Sequence, residues 1–250
     1  MRRKSTPISK RITPIDETTP KKKTKDQNKY SGIMPGREYI GGLFLILMAP
    51  AAILMIRHIC YDLNGDVFAF KDHLVNADSP LAYIRSNWPS PFTMRAWKII
   101  GVYMAVELAI MRLMPGKDFK ASITPMGNIP VYKANGLQSY FFSIFLLATL
   151  THFKIIEPGR IYDLFGELLS TINLIAFVFC GFLTFKGYHF PSSTDSGTAG
   201  NMVLDFFWGT ELHPRLLGFD VKLFTNCRFG MMYWALGIIC YAHAQYMRDG

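Results

Sequence analysis

Five long apolar runs constrain this chain more than any other sequence feature. They cover about residues 39–56, 93–114, 137–153, 164–185 and 230–246. A helix needs roughly 20 mostly apolar residues to cross the hydrocarbon core of a bilayer, and the runs approach that length. They therefore predict an all-α fold, a polytopic transmembrane helical bundle with about five spans. Pro50 lies within the first run, where we expect it to kink the helix.

The first 35 residues differ sharply in composition from the rest. Residues 1–30 contain ten Lys and Arg but only three acidic residues, and the segment has too few apolar side chains to fold alone. We interpret residues 1–35 as a disordered basic tail and residues 36–250 as the transmembrane domain. The tail is either a solvated segment that fixes membrane topology or an arm that binds chromatin or lipid.

The distribution of Lys and Arg predicts the orientation of the spans, because these residues are enriched on the cytosolic side. The tail has a net charge of +7 and residues 115–135 have +2, whereas the loops after the first and third runs have −1 and zero. The tail is therefore expected to be cytosolic. By parity, residues 200–230 are expected on the same side.

Residues 200–230 combine many charged groups with a membrane boundary. The candidate site residues of this stretch are Asp205, Glu211, Arg215, Asp220, Lys222, Asn226 and Arg228. Charges at such a boundary are costly unless they are paired. In one interpretation, ion pairs Glu211–Arg215 and Asp220–Lys222 hold a re-entrant loop. In the other, a carboxyl with a raised pKa donates a proton while the basic groups hold an anionic cofactor.

Other polar features of the chain lead to fewer conclusions. Glu107 lies inside the second run, where a carboxylate must face protein or a cavity, and a functional role and a packing role remain equally open. The four cysteines are scattered without ligand spacing, so we expect buried thiols and no metal site. No glycine-rich dinucleotide fingerprint or P-loop is present.

Three segments together resemble the signature of the sterol reductase family. These are Gly209–Arg215 with Phe219–Lys222 and Asn226–Gly230, then Pro130–Gly136, and Pro191–Asn201. That family includes C14 and C24(28) sterol reductases, 7-dehydrocholesterol reductases and the lamin B receptor. The run Phe224–Met232 is most similar to the 7-dehydrocholesterol reductases of plant type. His213 stands where the family usually has Asn.

The resemblance implies a sterol Δ7-reductase of the endoplasmic reticulum membrane that reduces a 5,7-diene sterol with NADPH. An acid would protonate one alkene carbon and a hydride would quench the carbocation. We select Glu211, Arg215, Asp220, Lys222, Asn226 and Arg228 as the candidate catalytic set, with Asp205 behind them. The proton donor stays open among Glu211, Asp205 and a residue of the family's second half. Family members have about ten spans, so the chain is expected to be an N-terminal half that lacks most of the NADPH pocket and is inactive alone.

Three alternatives remain open. A C14 sterol reductase belongs to the same family. A lamin-B-receptor-like protein would use the basic tail on chromatin, although a tail of this length has no room for a folded reader domain, and no nucleic-acid partner is expected. A transporter would show an inverted repeat, which the sequence lacks. Membrane lipid and other sterol-biosynthesis enzymes are the further partners that the resemblance implies.

Overall fold

The structure, a computed structural model, describes residues 37–124 and 126–249. The predicted tail, residues 1–35, lies outside these residues, so its disorder and its role stay predictions. The described chain is mostly helical. Its helices are α1 (Arg37–Arg57), α2 (Val67–Asn76), α3 (Pro80–Ser86), α4 (Met94–Leu113), α5 (Gly136–His152), α6 (Gly159–Asp163), α7 (Phe165–His189), α8 (Met202–Trp208), α9 (Val221–Leu223) and α10 (Met232–Asp249).

Each of the five apolar runs forms one long helix, α1, α4, α5, α7 or α10, and α1 continues through Pro50. Two helical stretches, Ile40–Asp62 and Phe165–His189, are long and apolar enough to cross a membrane. By contrast, α5 has only 17 residues, and α4 contains Arg95, Lys98, Glu107 and Arg112. The count of five spans therefore stays a prediction.

The long helices expose apolar side chains and bury polar ones. Leu43, Phe44 and Leu47 of α1 are all about half exposed or more, whereas Ser139 and Ser143 of α5 are buried. Water-soluble domains show the opposite preference. Contiguous exposed apolar surface of this kind marks a membrane or protein contact, and it agrees with a membrane protein.

Two short antiparallel ribbons interrupt the helices, so the all-α prediction is incomplete. Strand β1 (Lys117–Lys120) pairs with β2 (Val131–Ala134), with Lys117 opposite Ala134. Strand β3 (Arg215–Leu216) pairs with β4 (Phe219–Asp220) across a Leu217-Gly218 turn in which both residues have positive φ. Such two-residue turns match the twist of paired strands. These strands are too short for a period-two pattern to reveal them.

Two N-capping residues start the short helices between α1 and α4. Asp66 accepts a hydrogen bond from the Ala69 N–H at 2.9 Å and starts α2. Ser79 caps α3 in the same way, and Pro80 occupies the first helical turn. Both are preferred residues at these positions. The polar stretch between α1 and α4 is thereby divided into two short helices.

The apolar core lies where α4 packs on α7. Ala96, Ile100 and Leu168 are almost fully buried there, and Phe229 packs against them. Phe229 belongs to the π segment, which we define as the π-helical residues Phe224–Met231 that lead into α10. This packing joins the candidate stretch to the helical bundle.

Glu107 lies in the interior on α4 and is 1% exposed. The Ser143 hydroxyl of α5 donates to its Oε1 at 2.8 Å, and the positive charge of Arg228 attracts it from the π segment. The hydrogen bond joins α4 to α5, and both interpretations of Glu107 stay predictions. Its second oxygen, Oε2, accepts no hydrogen bond within the described chain.

Candidate functional site

Glu211 lies at the centre of the candidate stretch, clamped against the C-terminal end of α7. Lys186 Nζ donates to Oε1 at 3.0 Å and to Oε2 at 2.9 Å. The Ser192 N–H donates to Oε1 at 2.7 Å, and the Ser192 hydroxyl lies 3.1 Å from Oε2. Glu211 is 6% exposed. This carboxylate already accepts hydrogen bonds on both oxygens, an arrangement that supports a positioning role.

The ion pairs predicted within residues 205–228 are wrong. Glu211 pairs with Lys186 at 2.9 Å and not with Arg215, whereas Arg215 is exposed and its guanidinium donates to the Val131 carbonyl at 3.2 Å. Lys222 Nζ donates to the Glu211 carbonyl oxygen at 2.6 Å and not to the Asp220 carboxylate. Burial lowers the pKa of Lys222, while Asp220 and Glu211 oppose that shift.

A glycine allows this clamp to form. Gly187 of α7 faces Thr210, and a Cβ at position 187 would lie only 2.9 Å from the Thr210 Cβ and 3.3 Å from the Glu211 Cγ. Gly209, at φ +75°, turns the chain away from α8 immediately before this contact. The backbone is therefore irregular at Gly209, and Thr210 and Glu211 that follow it are buried against α7.

Asp205 of α8 holds the preceding loop in place. Its carboxylate accepts hydrogen bonds from the Tyr188 and Thr198 hydroxyls and from the Ala199 N–H. Burial by itself would raise the pKa of this carboxyl, but the three hydrogen bonds outweigh burial and leave the pKa below its usual range. Asp205 is therefore ionised at neutral pH and unsuited to donating a proton.

A second polar network joins the β1–β2 ribbon to the candidate stretch. The Tyr132 hydroxyl lies 2.7 Å from His213 Nδ1, and the same nitrogen lies 3.6 Å from Asp220 Oδ2. Burial and the neighbouring Asp220 raise the pKa of Tyr132 to about 12. Asp220 also accepts from the Leu223 N–H at 2.9 Å and so starts α9. This tyrosine–histidine–aspartate group has exchangeable protons, and in it Asp220 is buried while Tyr132 and His213 are half-buried.

Arg228 and Asn226 are separate from this group. The Arg228 side chain is buried and donates to the Asn135 side-chain oxygen and to the Gly136 carbonyl. Asn226 lies exposed on the π segment. The structure thus brings Glu211, Asp220 and Lys222 together, places Asp205 on the adjacent loop, and assigns Arg228 to the interior beside Glu107.

Sequence reasoning did not select several residues that build the site. Lys186, Ser192, Tyr132 and Asn135 were not chosen as site residues, and His213 was noted only as a departure from the family pattern. Of these residues, Lys186 is the one that the sequence could most readily have revealed. It is a charged residue at the end of a long apolar run, where an opposite charge is needed nearby.

The basic side chains of the candidate stretch and of the end of α7 donate to protein oxygens. Lys186 is paired with Glu211, while Lys222 and Arg228 are directed at carbonyl and amide oxygens. Arg215 alone among these four basic groups is exposed. A nucleotide phosphate normally meets several backbone N–H groups or free basic side chains. Within residues 37–124 and 126–249, no group of three or more His, Cys, Asp or Glu side chains suited to a metal ion occurs.

Comparison with known proteins shows which sequences this chain is similar to. The sequence profile described as "Ergosterol biosynthesis ERG4/ERG24 family" matches residues 42–250. A 7-dehydrocholesterol reductase of Arabidopsis thaliana is 42% identical over 214 residues, which cover 85% of this chain and 49% of the relative. A 7-dehydrocholesterol reductase of Danio rerio is 29% identical over 221 residues, covering 82% and 46%.

A relative with a different stated specificity also matches. A Delta(14)-sterol reductase of Methylotuvimicrobium alcaliphilum is 32% identical over 157 residues, which cover 62% of this chain and 36% of the relative. The chain thus spans about half the length, or less, of these relatives. Proteins with two positional specificities on the sterol ring therefore share this region.

Proposed function

The chain belongs to the Ergosterol biosynthesis ERG4/ERG24 family of sterol reductases, and on this premise we propose that it serves in the reduction of the Δ7 double bond of a 5,7-diene sterol. The observation that carries the proposal is the 42% identity to the Arabidopsis thaliana 7-dehydrocholesterol reductase. The 32% identity to a Delta(14)-sterol reductase supports reduction at C14 as the second candidate.

The geometry supports different roles for the predicted site residues. We propose that Glu211 and Asp205 hold the loops, because each carboxylate already accepts at least three hydrogen bonds. We propose that Tyr132, His213 and Asp220 form the group that exchanges protons with solvent or substrate. Three further polar residues of the candidate stretch stay candidates without a proposed role: Arg215, Asn226 and Lys222.

NADPH is the hydride source that we propose for this reaction. Lys186, Lys222 and Arg228 already donate to protein oxygens, so other groups are expected to bind its phosphates. The endoplasmic reticulum membrane and a cytosolic tail are the proposed location and orientation. Fluorescence microscopy of the tagged chain tests the location: a reticular pattern supports it, whereas a nuclear rim favours the lamin-B-receptor-like alternative.

A chimera tests the reaction. This chain replaces the aligned segment of the Arabidopsis thaliana 7-dehydrocholesterol reductase in cells that accumulate a 5,7-diene sterol. We expect the 5,7-diene to fall and the Δ5 product to appear in the sterol profile. The intact relative is the positive control, and the relative without the segment is the negative control.

The same chimera separates the two specificities. In cells that accumulate an 8,14-diene sterol, consumption of that diene with the 5,7-diene untouched would replace the Δ7 proposal by reduction at C14. The 250-residue chain expressed without the remaining segment is expected to leave both dienes unchanged. Turnover by the chain alone would contradict that expectation.

A further inference from the structure

The β1–β2 ribbon carries a positively charged surface that the site described above does not use. Lys117, Lys120 and Lys133 are all exposed on its two strands. The side chains of Lys117 and Lys120 make no hydrogen bond or ion pair within the described chain. Residues 115–135 contain one acid, Asp118, and have a net charge of +2. Unpaired charges of one sign on an exposed surface attract a partner of the opposite sign.

Two further cations lie beside the ribbon. Arg112 is exposed at the end of α4, and its carbonyl oxygen accepts a hydrogen bond from Lys133 Nζ at 3.1 Å. The exposed Arg215 donates from its guanidinium to the Val131 carbonyl of β2 at 3.2 Å. In the part of the chain that the structure describes, neither guanidinium is paired with a carboxylate. Five cations therefore lie on or next to the ribbon.

Apolar side chains are exposed among these cations. Phe119 of β1 and Ile123 of the turn that follows are both more than half exposed. Asn128 fixes this turn, because its side-chain amide donates to the Thr194 hydroxyl at 2.8 Å and to the Asp195 carboxylate at 2.7 Å. Exposed apolar groups bordered by charges are typical of interaction surfaces.

The ribbon lies at the end of the bundle where α1 begins and α7 ends. The Tyr132 hydroxyl of β2 is 2.7 Å from His213 Nδ1, and His213 comes two residues after Glu211, which is clamped to the end of α7. A Cβ on Gly42 of α1 would lie 3.5 Å from Val203 of α8, the helix that precedes Glu211. Both α1 and α7 are long and apolar enough to cross a membrane. The ribbon is therefore placed beside a boundary between membrane and water.

The exposed apolar surface continues from the ribbon onto the helices that flank it. Leu113 is the last residue of α4 and is 78% exposed, and Leu137 in the first turn of α5 is 71% exposed. A partner that covers this region must offer an apolar phase directly next to negative charge. The surface of a bilayer with anionic headgroups offers both, whereas an acidic protein surface offers only the charge.

We propose that the β1–β2 ribbon docks on anionic phospholipids of the leaflet in which α1 begins and α7 ends. Lys117 and Lys120 contact the negatively charged oxygens of the lipid, and Phe119 and Ile123 lie among the headgroups. Anionic lipids are concentrated in the cytosolic leaflet of cell membranes. This location agrees with the cytosolic side proposed for the tail that precedes α1.

Hydrogen–deuterium exchange of the purified full chain tests this contact. The chain is reconstituted into nanodiscs of phosphatidylcholine alone or of phosphatidylcholine with phosphatidylserine. A lysine at an anionic surface contributes roughly five-fold to association, so exchange across residues 117–134 is expected to slow by roughly five-fold or more in the phosphatidylserine discs. High salt should reverse the slowing, because it screens exposed charges.

Two double variants with the same net charge locate the effect. Lys117→Gln with Lys120→Gln removes the unpaired lysines of the ribbon and should remove most of the slowing. Lys71→Gln with Arg85→Gln is the matched control, because both side chains are exposed, on α2 and α3, and form no hydrogen bond or ion pair in the described residues. It should respond as the parent does. Matching unfolding temperatures in detergent verify that both variants are folded.

Equal exchange of the parent in the two kinds of disc would overturn the lipid contact, and so would undiminished slowing in the Lys117→Gln, Lys120→Gln variant. Inositol hexakisphosphate added to phosphatidylcholine discs separates a lipid surface from a soluble phosphate. Slowing as large as that with phosphatidylserine would assign the lysines to a soluble anion and overturn docking on the membrane. Exchange unchanged by this polyanion would support phospholipids as the ligand.

Discussion

Glu211 and Lys186 form a buried ion pair whose side chains are 5% and 11% exposed. Removing one partner of such a pair leaves an uncompensated charge and costs about 3–5 kcal/mol, whereas replacing both by apolar groups is often neutral. Glu211→Gln should therefore lower the unfolding temperature in detergent strongly. The double variant Lys186→Met with Glu211→Leu should recover much of that loss.

The chimera distinguishes structure from catalysis for the same residue. If Glu211→Gln unfolds no earlier than the parent yet abolishes turnover, Glu211 is a catalytic residue and the positioning role is wrong. Comparable losses of stability and of activity, with recovery of both in the double variant, support positioning.

Asp205 makes stability depend on pH at the acidic end. Its pKa is lower when folded than the value of about 3.9 in an unfolded chain, so its contribution is present above that value and is lost as pH falls through the folded pKa. The parent should lose unfolding temperature below about pH 4. Asp205→Asn should be less stable at pH 7 and should lose less on acidification.

Asp118→Asn is the control for this titration. Asp118 lies exposed on β1, and its substitution should leave the pH profile of unfolding unchanged. A parent profile that is flat between pH 6 and pH 3, or an Asp205→Asn profile as steep as the parent's, would count against the hydrogen-bonded carboxylate.

The partners of these carboxylates were beyond the reach of sequence reasoning. Asp205, Glu211 and Asp220 were recognised as important, but neighbours along the chain were assumed to pair. Lys186 comes 25 residues before Glu211, and Tyr132 comes 81 residues before His213. Only the fold of α7 and of the β1–β2 ribbon brings them together, and a charge pattern contains no such distance information.

At the scale of elements, the contact between α7 and the loop at Thr210 depends on Gly187. Gly187→Ala places a methyl group into Thr210 and Glu211, so it should lower the unfolding temperature although alanine favours helices by about 1 kcal/mol over glycine. Gly181→Ala on the same helix meets only Phe206, at 3.9 Å. It should be neutral or stabilising. Equal unfolding temperatures for the two variants would argue against this packing.

The long elements were predictable and the short ones were not. Each apolar run forms a helix within a few residues of its expected bounds. Backbone N–H and C=O groups in an apolar environment must pair with each other, and a helix pairs them within a single segment. The ribbons and the π segment depend on tertiary contacts, such as Tyr103 donating to the Phe229 carbonyl at 2.8 Å. Periodicity does not reveal them.

At the scale of the whole molecule, exposed apolar helices predict tight membrane association. Within Ile40–Asp62 and Phe165–His189, an 18-residue window has a mean hydropathy of 2.1, and 11% and 22% of the respective windows are buried. The expressed chain should stay in the membrane pellet after extraction with alkaline carbonate and should enter solution with detergent. Release by carbonate alone would show that these helices pack within a water-soluble assembly.

The π segment accommodates one residue more than the same turns of α-helix would hold. π turns occur mostly as bulges inside α-helices, where the extra residue is absorbed in place. A single deletion within Phe224–Met231 would therefore close the bulge into α geometry and leave α10 in its present rotation. The same deletion within α10 would turn every residue beyond it by about 100° about the helix axis. A change of chain length by one residue should thus be tolerated at the π segment and disruptive a few residues later, although the two positions look alike in the sequence.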